Sequence, residues 1–120
     1  MVRPSFLLRL HPGLRAVLGA ALLAAAGAAS AADAHTVTLV AKDGRFEPAT
    51  LEAPAGTRIR IEIENAGDTP IEFESTPLRK EKVLAPGARS VVVIQPLDPG
   101  RYPFFDEFHP DTGRGELIVR

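Results

Sequence analysis

Near the C-terminus, Tyr102-Pro-Phe-Phe-Asp-Glu-Phe-His-Pro sets two carboxylates, Asp106 and Glu107, just ahead of an imidazole, His109. Upstream, Ile-Glu-Phe-Glu-Ser spaces Glu72 and Glu74 at i and i+2, on one face of an extended strand. Carboxylates with a single imidazole are harder donors than thiolate or thioether. They suit Fe(II), Fe(III), Mn(II) or a Cu(II) held by nitrogen and oxygen. Each residue also has a plain structural role. His109, next to Pro110, can hydrogen-bond a turn, and Asp106 can cap it. Glu107 alternates to the face opposite Asp106, and Glu72, Glu74 and Glu81 can simply face solvent. The sequence shows no nucleophile–base pair with a third member and no Gly-rich phosphate loop.

The elements that must position these groups begin after a leader. Residues 1–15 carry Arg3, Arg9 and Arg15 and no acid. A small apolar run rich in alanine follows, shorter than the ~20 residues of a membrane span, and ends at an Ala-x-Ala site. This pattern predicts a secretory signal peptide over residues 1–31 and one domain over residues 32–120. The mature chain is then exported, to the periplasm, and does not span the membrane. Beyond residue 31 stand 11 Lys and Arg against 15 Asp and Glu, a net charge of −4. An acidic surface disfavours nucleic acid and anionic lipid and admits cations. The chain has no cysteine. That excludes disulfides, thiolate–metal bonds and a cysteine nucleophile together.

The apolar pattern has period two almost throughout. His35–Asp43 alternates, with Val37, Leu39 and Ala41 on one face, and Asp43-Gly44 marks a turn. Pro48 and Pro54 confine the next segment to an edge or irregular strand. In Thr57–Asn65, Ile59, Ile61 and Ile63 face inward while Arg58, Arg60, Glu62 and Glu64 face water. Ile71 and Phe73 oppose Glu72 and Glu74. Residues 76–89 read as a connector without a strong period. Ser90–Leu97 is nearly continuous apolar, which predicts a strand buried on both faces. Arg101–Phe105 and Gly115–Arg120 supply the last strands. Six to eight short strands with frequent turns predict an all-β Greek-key sandwich or barrel. At least three of Phe73, Tyr102, Phe104, Phe105 and Phe108 are expected in the core.

Phe46-Glu-Pro, Leu51-Glu-Ala-Pro-Ala-Gly-Thr, the alternation ending at Asn65, Pro86-Gly87 and Tyr102-Pro-Phe together resemble a cupredoxin, over nearly all of residues 36–120. Within that superfamily the chain is similar to EfeO-type cupredoxin-like domains. Glu72–Ser75, Arg79–Gly87, Pro96–His109 and Gly113–Val119 look like the small periplasmic FtrB-type component of ferrous-iron uptake systems. On the copper-binding frame of that fold, Tyr102, Phe104, His109 and Gly115 fit, but Asp106 stands at the cysteine position and Gly113 at the methionine position. Ile71 and Glu72 replace the upstream histidine. Three of four blue-copper ligands are therefore missing, and no blue-copper centre is expected.

The resemblance implies instead that Asp106, Glu107, Glu72, Glu74 and His109 converge at one end of the sandwich as a metal site for iron or copper. It implies partners as well: a membrane iron permease and other periplasmic uptake components. A ferroxidase step needs an electron acceptor that the sequence does not display, so the chain reads as an accessory. Two alternatives stand beside this. One is a metal-free docking module that uses its acidic pole and aromatic rim, and the other is a blue-copper-type electron carrier. A leader cut after Ala32 would also give Asp33-Ala34-His35, a terminus able to wrap Cu(II) in nitrogen. The plainer expectation is that His35 frays ahead of the first strand.

Overall fold

A computed structural model describes residues 33–120, together with Val2. The signal-peptide expectation for residues 1–31 lies outside the described residues. Nine strands form: β1 His35–Lys42, β2 Arg45–Glu47, β3 Thr50–Ala53, β4 Ile59–Asn65, β5 Ile71–Ser75, β6 Lys80–Leu84, β7 Arg89–Ile94, β8 Gly100–Asp106 and β9 Arg114–Val119. They build two sheets, β2-β1-β4-β7 and β3-β9-β8-β5-β6. The class is all-β, as the alternation requires. Among the described residues, no helix is long and apolar enough to cross a membrane.

Alternation becomes burial strand by strand. Ile59, Ile61 and Ile63 of β4 are buried, and Arg60 and Glu62 between them are exposed. β1 runs parallel to β4 with Leu39 opposite Ile63. β1 turns into β2 through Asp43-Gly44, both at positive φ (51° and 70°), the two-residue turn whose twist matches paired strands. Phe46 of the first sheet packs edge-on to Phe104 of the second, with ring centroids 5.3 Å apart and planes at 76°. Phe73 lies 5.1 Å from Phe104, so three rings tie the sheets together.

Four expectations change. The strand count is nine, because the proline-bearing segment splits into β2 and β3 and the presumed connector contains β6. β6 has little apolar period because it is a sheet edge, and only Leu84 of its five residues is buried. β7 is also an edge and buries one face: Val92 and Ile94 point in, while Val93 is 39% exposed. Of the five aromatics named, Phe73 and Phe104 are buried and Tyr102 packs partly buried against the core; Phe108 is 50% exposed. Finally, His35 does not fray. It opens β1 opposite Ile59, and its N–H donates to the Arg58 carbonyl at 2.8 Å.

Candidate metal site and the loop that holds it

β5 and β8 lie side by side and carry the site. Phe73 pairs with Asp106 and Glu74 with Phe105. Paired residues share a face, so Asp106 enters the core side with Phe73. Asp106 is 2% exposed. Glu107 falls on the opposite side, beside Glu72, and its N–H donates to the Glu72 carbonyl at 3.0 Å. The five candidate ligands therefore separate into two groups.

The inner group is Asp106 and His109. Asp106 Oδ1 accepts the backbone N–H of Glu72 at 2.9 Å and that of Phe108 at 3.0 Å. Oδ2 meets His109 Nδ1 at 2.7 Å. With the carboxylate as acceptor, the proton of a neutral ring sits on Nδ1, and the lone pair is left on Nε2. The ring is 30% exposed and packs over the β1–β2 turn; a Cβ at Gly44 would lie 3.0 Å from His109 Cδ2. Asp106 N–H donates to the Gly113 carbonyl at 2.7 Å, and Gly113 N–H to the His109 carbonyl at 2.8 Å. A Cβ at Gly113 would stand 2.7 Å from Asp106 Cβ, so this position has no room for a side chain.

The outer group is Glu72, Glu74 and Glu107. Each can offer one oxygen such that all three lie within 4.8 Å of one another, and among the described residues they form the one such group of three. Glu74 Oε2 is buried and meets no hydrogen-bond donor. Hydrogen bonding to Glu107, then burial, then the charges of Glu107, Glu72 and Glu81 push the Glu74 carboxyl up to about 7. Oε2 is thus left for a proton or a cation to satisfy. Burial, then the charges of Glu107, Glu81 and Asp106, raise Glu72 as well. Glu81 enters this field because it pairs with Glu74 across β5 and β6.

Two supporting residues escaped the sequence reading. Asn65 is fully buried. It donates from Nδ2 to the Thr69 and Leu84 carbonyls at 2.8 and 3.1 Å and accepts from Gly67 N–H at 3.1 Å. Ser75 Oγ donates to the Pro103 carbonyl at 2.8 Å, locking β5 to β8. A signal existed for both. Each is a polar residue at the inward parity of its strand, after Ile59, Ile61 and Ile63 or after Ile71 and Phe73.

Residues 15–119 match the family model of the cupredoxin-like domain, and the chain belongs to that family. An uncharacterized protein of Rickettsia prowazekii (strain Madrid E) is 43% identical over 83 residues, which cover 69% of this chain and 66% of that protein. The chain thus spans just under two thirds of the length of this relative. Two solved structures share the fold. One is the metal-binding domain of the Cu(I)-exporting P-type ATPase CopA of Streptococcus pneumoniae D39, at TM-score 0.65, 17% identity and coverage of 73% and 87% of the two chains. The other is auracyanin A, a blue copper protein of Chloroflexus aurantiacus, at TM-score 0.63, 12% identity and coverage of 73% and 100%.

A blue-copper centre does not fit these residues. The chain has no thiolate. Both Asp106 oxygens are engaged by Glu72, Phe108 and His109, and Gly113 presses on Asp106 where a thioether would be needed. The nitrogen-wrapped terminal copper site meets a similar obstacle. Its second amide nitrogen would be that of His35, whose N–H is committed to the Arg58 carbonyl.

Proposed function

We propose that this chain is a periplasmic metal-handling module of an iron-uptake system, of the EfeO or FtrB type, that holds iron on Glu72, Glu74 and Glu107. The observation that carries this reading is the three-carboxylate cluster with a buried, donor-free oxygen on Glu74. Oxygen donors suit Fe(II), Fe(III) or Cu(II), and a cation on the cluster competes with the proton that the raised Glu74 carboxyl retains. Asp106 is a positioning residue. Its Oδ1 ties the strand bearing Glu72 to the loop bearing Glu107, and its Oδ2 orients His109. Among the described residues, His109 Nε2 is the one imidazole donor at this end. The fold is shared with a Cu(I)-binding domain and a blue copper protein, which supports a metal-carrying ancestry.

Iron is cargo under this reading, passed on to a membrane permease. Oxidising Fe(II) releases an electron, and the acceptor would be copper or a partner's redox centre. The chain is an accessory to that step.

The test is a titration with Cu(II), followed by EPR, and with Fe(II) without oxygen. One equivalent is expected to bind, with affinity reduced by about tenfold or more in Glu74→Gln and in Glu107→Gln. Nitrogen coupling that vanishes in His109→Ala would add the ring to the ligand set. Absence of stoichiometric binding of either ion to the wild-type chain would end the proposal.

A further inference from the structure

The β5–β6 end of the second sheet's outer face gathers four carboxylates that form no ion pair among the described residues. Register places Glu81, Glu74, Phe105 and Arg114 in one row across β6, β5, β8 and β9, with Phe105 between the two glutamates and the arginine, and Val83 and Glu72 in the next, continued by Glu107. Four other strand carboxylates have partners, Glu62 with Arg60, Glu64 with Arg89, Glu116 with Arg101 and Glu52 with Arg120, while the exposed Glu47 of β2 stands alone rather than in a cluster. Among the described residues none of Glu72, Glu74, Glu81 and Glu107 joins an ion pair. Like charges directly opposite, as Glu74 and Glu81 are, destabilise a sheet.

Apolar surface borders the same patch. Val83 is 57% exposed and Phe108 is 50% exposed, the two largest such exposures within residues 33–120. Val83 stands across from Glu72, and Phe108 follows Glu107 in the loop. Carboxylates beside an apolar rim complement a cationic segment that carries an apolar side chain. The β6 edge itself is blunted. Lys80 and Lys82 lie on its other face, opposite Ser75 and Phe73, and edge lysines discourage strand addition.

We propose that this face, bounded by Val83 and Phe108, docks a basic segment of a partner protein, its lysines or arginines on the four glutamates and an apolar side chain against the rim. This goes beyond the metal reading and does not depend on it. Where both hold, a cation on Glu72, Glu74 and Glu107 and a docked basic segment exclude each other.

The experiment uses the full chain, isotope-labelled and kept metal-free with a chelator. The probe is a synthetic peptide alternating lysine with valine, compared with its glutamate counterpart, and the readout is amide NMR shifts. The lysine peptide is expected to move Glu72, Glu74, Glu81, Val83, Glu107 and Phe108, and the glutamate peptide none. Phe108→Ser and Val83→Ser are each expected to weaken binding about fivefold. Both lie at exposed positions, and both leave Glu72, Glu74 and Glu107 in place. Their Cu(II) titration therefore reports on the metal reading separately. Shifts spread over Glu47, Glu52 and Glu62, affinity indifferent to both apolar substitutions, self-association through this face, or no binding would each overturn the proposal.

Discussion

Glu74 is the residue on which the electrostatics turn. Its folded-state carboxyl, at about 7, lies above the ordinary value of 4.5. The fold therefore favours the protonated acid. Its contribution to stability is complete below the ordinary value and is lost as pH rises through about 7. Glu74→Gln cannot ionise. The substituted chain is expected to be more stable than wild type at about pH 8 and to converge with it toward pH 4, which denaturant melts across pH will check. A constant difference between the two would mean that folding does not raise the Glu74 carboxyl. Asp106 responds differently, because it is buried and accepts from two backbone amides. Asp106→Ala orphans both donors and is expected to cost about 3 kcal/mol of unfolding free energy. Asp106→Asn keeps an oxygen for the amides but offers His109 an N–H, which shifts the ring proton to Nε2 and removes that lone pair. The pair of variants separates holding the loop from preparing the imidazole: Asn is expected to lose any nitrogen ligation while retaining most stability.

At the scale of elements, the site is a junction between β5 and β8 with a tight loop behind it. That loop closes on Gly113, where a Cβ would run into Asp106 and whose N–H reaches the His109 carbonyl. Gly113→Ala forces a methyl to within 2.7 Å of Asp106 Cβ and 3.0 Å of the His109 carbonyl. A destabilisation of about 1–3 kcal/mol is expected, with loss of Cu(II) affinity larger than in any β4 core variant of equal stability. Thermal melts paired with titration will test it. Strand parity made much of this junction legible. Glu72 and Glu74 share a face, and Glu107 opposes Asp106, on alternation alone. What alternation did not supply was cross-strand register. Only the pairing of Phe73 with Asp106 shows that Glu107 joins the two β5 glutamates while Asp106 turns away from them. β6 was missed for a related reason. An edge strand buries one residue in five here, so it leaves no hydrophobic period to read.

Across the whole molecule, interior strands and edge strands are held unequally. β4 is hydrogen-bonded on both sides, to β1 and β7, and three buried isoleucines fix it against the opposite sheet. β6 is paired on one side only, and four of its five residues are exposed. With no cysteine, no covalent link offsets that difference. Amides whose strands open without disturbing the core exchange by local fluctuation, and those at the centre exchange only on global unfolding. Ile59–Asn65 are therefore expected to define the slowest hydrogen-exchange class, and Lys80–Leu84 to exchange well before global unfolding. β5, one strand in from that edge, has β8 on its other side and the Ser75–Pro103 bond besides. It should follow β4 rather than β6. This ordering matters for the site, because Glu72 and Glu74 must keep their spacing while the neighbouring edge opens. If Ile71–Ser75 exchanged as fast as Lys80–Leu84, the carboxylates would not be preorganised, and cation binding would carry an ordering cost that weakens it.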